Sequence, residues 1–80
     1  MKKKISVDGL SKKIIYACTK YALEVKQTDR VHKVIADIIC QTEKTAQNRT
    51  RNNDWSFEEV QLIAQRTGDE DLKTFVKQQF

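Results

Sequence analysis

There is no proline in this chain, and glycine occurs only twice, at Gly9 and Gly68. Tight turns that depend on those residues are therefore scarce, which argues against an all-β fold strung on many hairpins and leaves an all-α domain as the expectation. Histidine occurs once, at His32, and cysteine twice, at Cys18 and Cys40. One imidazole and two separated thiols make no metal site of recognisable spacing, so no metal is expected. No Gly-rich phosphate loop is present, no Ser or Cys stands at a useful spacing from a base, and no carboxylate pair rises above helix-surface background. The chain is accordingly expected to be no enzyme and to need no cofactor. Long apolar runs are missing as well. Met1-Lys2-Lys3-Lys4 resembles the start of a secretion signal, but Ser6, Asp8, Gly9, Ser11 and Lys12 break up the apolar segment that would have to follow. No membrane span is expected, and the cytoplasm is the expected location.

Eighty residues, 39% hydrophobic and 32% charged, suit one domain with a modest core and leave no room for a deep catalytic cleft. Surface recognition is the function class that remains. The net charge of +4 conceals an asymmetry. Residues 1–51 carry 12 Lys and Arg against 5 Asp and Glu, or +7, whereas residues 52–80 carry 3 against 6, or −3. A positive pole of this kind favours polyanions such as nucleic acid, or an acidic protein face.

Apolar spacing predicts five helices and no internal repeat. From Ser11, the residues Ile14, Cys18, Tyr21, Ala22 and Val25 fall on one stripe of a 3.6-residue helix. Val31, Val34, Ile35, Ile38 and Ile39 repeat that pattern, with Thr28 or Asp29 available to cap the second helix. Both cysteines occupy apolar helix positions in this reading, so buried, reduced thiols are expected in preference to one disulfide. Thr42 can cap a third, short helix from Glu43 to about Arg51, followed by a turn at Asn52-Asn53-Asp54; the alternative is a solvated polar connection over 42–54. Ser56 and Glu59 then form an S-x-x-E capping box, Phe57, Val60, Ile63 and Ala64 face inward, and Gly68 can end the fourth helix. Asp69, Glu70 and Asp71 open a fifth helix carrying Leu72, Phe75, Val76 and Phe80. The chain is read as a single domain over 1–80, with 1–10 as a flexible basic arm.

The second and third helices, joined by a few residues, have the proportions of a helix-turn-helix, in which the later helix enters the DNA major groove. Base edges are read by long or forked donors and acceptors. Glu43, Lys44, Gln47, Asn48 and Arg51 share one face of the third helix, leaving Ala46 for the core. Lys2, Lys3, Lys4, Arg30 and Lys33 are candidate phosphate contacts, a frayed tail or solvated face being the plain reading of the same lysines.

From Ala36 through TEKTAQNRTRNNDWSFEEVQLIAQRTGDEDL, the order of elements resembles the lambda-type repressor and Cro helix-turn-helix family: an Ala within helix two, a capped recognition helix, a turn, and a capped helix of the form S-x-E-E-x-x-x-I-A-x-x-x-G. With ACTKYAL in helix one, the segment is most similar to small phage regulators of the CII type, over roughly residues 17–78. The resemblance implies a compact five-helix, lambda-repressor-like domain in which Thr42, Glu43, Lys44, Gln47 and Asn48 form the exposed early part of the recognition helix. Two positions depart from the pattern. The turn has no Gly, so Cys40 must take the turn conformation at some cost, and Arg49 stands where an apolar residue is usual.

Two functions follow from these residues. The first is a phage or prophage transcription regulator that binds double-stranded DNA, expected to act as a homodimer since one short helix reads few base pairs. The second is an antirepressor or host-takeover protein that grips a phage or host regulatory protein with the same fold. In that case Leu72, Phe75, Val76 and Phe80 are the candidate partner or dimer surface, core packing being the plain account of the same stripe. His32 is expected on the polar side of helix two, as a solvated imidazole.

Overall fold

Where the apolar stripes predict helices, helices form. In the computed structural model, which describes residues 4–5 and 8–78, α1 spans Leu10–Tyr21, α2 Val31–Ile39, α3 Glu43–Asn52, α4 Phe57–Thr67 and α5 Glu70–Gln78. A two-residue strand β1, Lys4–Ile5, pairs antiparallel with β2, Trp55–Ser56, in the register Lys4 to Ser56 and Ile5 to Trp55. The described part of the expected flexible arm is therefore tied down, and Leu10 at its end is in the core, 1% exposed. Lys2, Lys3 and Phe80 lie outside the described residues.

The core is one cluster built from every helix: Leu10, Ile14 and Cys18 of α1, Ile35 and Ile39 of α2, Ala46 of α3, Val60 and Ile63 of α4, Leu72 and Val76 of α5. Trp55 sits fully buried among them, its indole N–H donating to Ser11 Oγ at 3.0 Å. Ser11 Oγ in turn donates to Asn53 Oδ1 at 2.9 Å, and the Ser11 backbone N–H meets the same oxygen at 3.0 Å. Gly9, at the start of α1, offers no side chain to cap it. Asn53, 42 residues beyond Ser11, satisfies the free Ser11 N–H instead.

Helix ends follow local chemistry. Thr42 Oγ1 accepts from Thr45 N–H at 3.1 Å at the start of α3. Ser56 and Glu59 form both bonds of the capping box on α4, and Asp69 Oδ1 accepts from Leu72 N–H on α5. Gly68 closes α4 with φ 70°. The second helix is the exception: Arg30 is its cap residue with no side-chain cap bond, and Thr28 Oγ1 accepts the Arg30 N–H just before the helix begins. Neither Thr28 nor Asp29 caps α2 with its side chain.

Two further expectations are corrected. After Tyr21 the first helix widens into a π-turn, Ala22–Lys26, which advances less per residue than an α-helix and carries Val25 off the apolar stripe to 60% exposure. Cys18 is buried but Cys40 is exposed, because Cys40 is the left-handed residue past the end of α2, with φ 59°. Its N–H and that of Gln41 both reach the Ala36 carbonyl, which closes the helix. A side chain in that conformation crowds its own carbonyl, and the exposed thiol has no packing to lose. Cys40→Gly is expected to raise stability by about 1 kcal/mol, read as a higher urea midpoint at unchanged slope. A lower midpoint would show that the turn owes its shape to the Cys40 side chain.

Candidate nucleic-acid interface

The third helix has a single buried residue, Ala46, so it is not held by an apolar stripe of its own. Its neighbours fix it by polar bonds. Arg49 Nε donates to both carboxylate oxygens of Glu59, at 3.1 and 3.2 Å, and Glu59 Oε1 also accepts the Ser56 N–H at 2.9 Å. Glu59 is only 7% exposed. The arginine that stands at an apolar position is thus the counter-charge of the capping-box carboxylate, and one ion pair joins the inner side of α3 to the first turn of α4. At the far end of α3 the Asn53 bond to Ser11 anchors the helix to α1.

With the inner side so held, the outer side is free. Lys44, Gln47 and Arg51 are exposed, and Asn48 is half-buried beside them. The Thr42 hydroxyl is engaged as the cap, accepting from Thr45 N–H and donating to Thr45 Oγ1. Glu43 is also taken: the Arg30 Nη2 donates to both of its carboxylate oxygens, at 3.2 and 3.3 Å, so two candidate contacts expected to face DNA separately meet each other. Arg30 is well exposed and Glu43 partly so, and such a pair contributes little to stability. Its effect is positional, setting Arg30 against the first turn of α3.

Arg30 also borders a cleft of about 240 Å³ between the π-turn, α2 and the end of α4. Lys26 from the π-turn, Lys33 from α2 and Arg66 from the end of α4 line the same cleft, with Asp37 as its only carboxylate. Lys26 and Arg66 are 40 residues apart and belong to no motif, which is why sequence reading did not single them out. Of the expected phosphate contacts, Arg30 and Lys33 are brought together here, Lys4 has its backbone paired in β1, and Lys2 and Lys3 lie outside the described residues.

Of the α5 residues offered as a partner surface, the three described ones take the core reading instead. Leu72 is 0% and Val76 8% exposed, and Phe75 packs partly against the core. An amphipathic last helix covers the core of so small a domain because no other element is there to do so. Burial first, and the nearby Asp69 carboxylate second, push the Cys18 thiol up to about 12, so it stays protonated and packs as a small hydrophobe. Among the described residues no group of three or more His, Cys, Asp or Glu is placed to hold a metal ion, and no helix is long and apolar enough to cross a membrane. The chain matches no known protein-family model, no curated protein and no solved structure.

Proposed function

We propose that this chain is a small DNA-binding regulator of the phage or prophage kind, in which α2, the Cys40 turn and α3 act as a helix-turn-helix and α3 enters the major groove. The observation that carries the reading is the construction of α3. A helix with one buried residue is clamped from its inner side by Arg49–Glu59 and Asn53–Ser11, and Lys44, Gln47, Asn48 and Arg51 are left facing outward. Such a helix serves presentation, since its burial contributes little to the core. The side chains it presents pair with base edges and phosphates. The cations of the adjacent cleft, Lys26, Arg30, Lys33 and Arg66, support the reading because backbone phosphates flank any groove that a helix enters.

The test is fluorescence anisotropy of a labelled duplex, titrated with the chain over a range of salt concentrations. Binding at low salt is expected, with log K falling linearly against log salt. Lys44→Ala is expected to weaken random and selected duplexes alike and to make the salt slope shallower by about one, as loss of one phosphate contact does. A folded chain that binds no duplex at low salt would sink the proposal.

A further inference from the structure

Among the described residues, the outward side of α1 and of the π-turn that continues it is only partly covered. Half-buried Ile15 and exposed Tyr16 of α1 are followed by half-buried Thr19 and then by Leu23 in the π-turn, with Tyr16 71% and Leu23 57% exposed. They form the wall of a shallow groove of about 900 Å³ whose other wall includes Thr50 and Asn53 at the end of α3. Scattered surface apolar residues are ordinary, but a contiguous stripe along one helix of an 80-residue domain marks an interaction surface. The charges beside it identify the occupant. Along one flank the order is Lys13, Tyr16, Lys20, Glu24, and Lys13, Lys20 and Glu24 form no ion pair among the described residues.

We propose that a second copy of this chain covers the stripe, the two α1 helices packing antiparallel across a twofold axis level with Cys18. Positions within one helical step of equal distance from that axis then face each other. Lys13 of one copy meets Glu24 of the second, and the twofold repeats the pair at the other end. Tyr16 meets Lys20, an arrangement that sets an ammonium against an aromatic ring. The stem of Lys12 lies over Leu23. A parallel pairing sets Lys13 on Lys13, Lys20 on Lys20 and Glu24 on Glu24, which like-charge repulsion disfavours. Because Thr50 and Asn53 border the same groove, the antiparallel pair also brings the ends of both α3 helices into one assembly. The inference stands apart from DNA binding, and it is tested with no nucleic acid present.

Sedimentation equilibrium of the full chain is the experiment, with helicity by circular dichroism recorded for every variant. The expected mass is about twice the 9.3 kDa of one chain, in reversible exchange with monomer. Tyr16→Glu is expected to weaken association about tenfold or more, since it puts a charge into the middle of the stripe. Leu62→Glu, at a 43% exposed position on α4, is expected to leave it unchanged. Lys13→Glu alone and Glu24→Lys alone are each expected to weaken the dimer about tenfold, whereas the two combined restore it to within about twofold, because the exchanged charges again meet across the axis. A monomer throughout, or a dimer indifferent to Tyr16→Glu, overturns the proposal. A dimer sensitive to Tyr16→Glu in which the combined charge exchange fails to restore association overturns the antiparallel arrangement.

Discussion

Trp55→Ala is expected to remove most of the stability of this domain, about 3–5 kcal/mol, the range found when a fully buried large aromatic is cut back to alanine. A domain of 80 residues has on the order of 4–12 kcal/mol in total, so the variant is expected to be largely unfolded at modest urea concentrations. The size of the effect comes from the number of elements that meet at this residue. Its ring is 0% exposed in the core, and its backbone pairs with Ile5 in the two-stranded ribbon. Its indole N–H holds Ser11 Oγ, which is bonded to Asn53 and so to the end of α3. It also directly precedes Ser56, whose capping box starts α4. Trp55→Phe separates packing from hydrogen bonding. It keeps an aromatic ring in place while removing the N–H, and is expected to cost about 1–2 kcal/mol, for a smaller ring and a lost hydrogen bond. Urea unfolding followed by circular dichroism gives both values, and in the parent chain the fluorescence of the single Trp should follow the same transition. A loss below about 1 kcal/mol for Trp55→Ala would contradict a core placement for the ring.

The features legible in the sequence are the ones whose cause is local. The capping box at Ser56 and Glu59, the Thr42 cap, the left-handed end at Gly68 and the turn at Cys40 each depend on residues within a turn of one another, and each stands where the spacing put it. The apolar stripes of α2 and α4 were readable for the same reason. What could not be read depends on residues distant in the chain, or on a turn type with no residue signature. Asn53 caps α1 across 42 positions, and Trp55 reaches Ser11 across 44. The π-turn at Ala22–Lys26 has no Pro or Gly to announce it, and its effect was to move Val25 out of the core and Lys26 to the rim of the basic cleft. Arg49 was recognised as out of place among inward positions, but its partner belonged to another helix. Only the fold shows that Glu59, already committed to the capping box, has a further carboxylate lone pair to offer. The α5 stripe left two readings open because amphipathicity has the same pattern whether the apolar side meets the core or a partner; Leu72 and Val76 meet the core.

Gln47→Ala combined with Asn48→Ala is expected to collapse the discrimination between a selected duplex and a random one while leaving affinity for the random duplex nearly unchanged. Both side chains end in an amide that donates and accepts through two adjacent atoms, the geometry that matches N6 and N7 of adenine in the major groove. Each such paired contact is worth about 1–3 kcal/mol of discrimination, so one substitution lowers the preference about five- to 150-fold. Gln47 is exposed and Asn48 half-buried on the outer side of α3, so Gln47 has the greater reach and is expected to show the larger single effect. Neither residue makes a bond that holds α3, which depends on Ala46, Arg49 and the Thr42 cap, so both variants should unfold like the parent chain. Duplexes enriched by the parent chain from a random pool provide the cognate sequence, and competition anisotropy at fixed salt measures the ratio. The contrast with Lys44→Ala is what assigns the roles. Removing a phosphate contact lowers affinity for every duplex and changes the salt slope, whereas removing a base contact lowers one affinity and leaves the slope alone. If Gln47→Ala weakens all duplexes equally, α3 lies along the backbone and the outward row of amides reads no base.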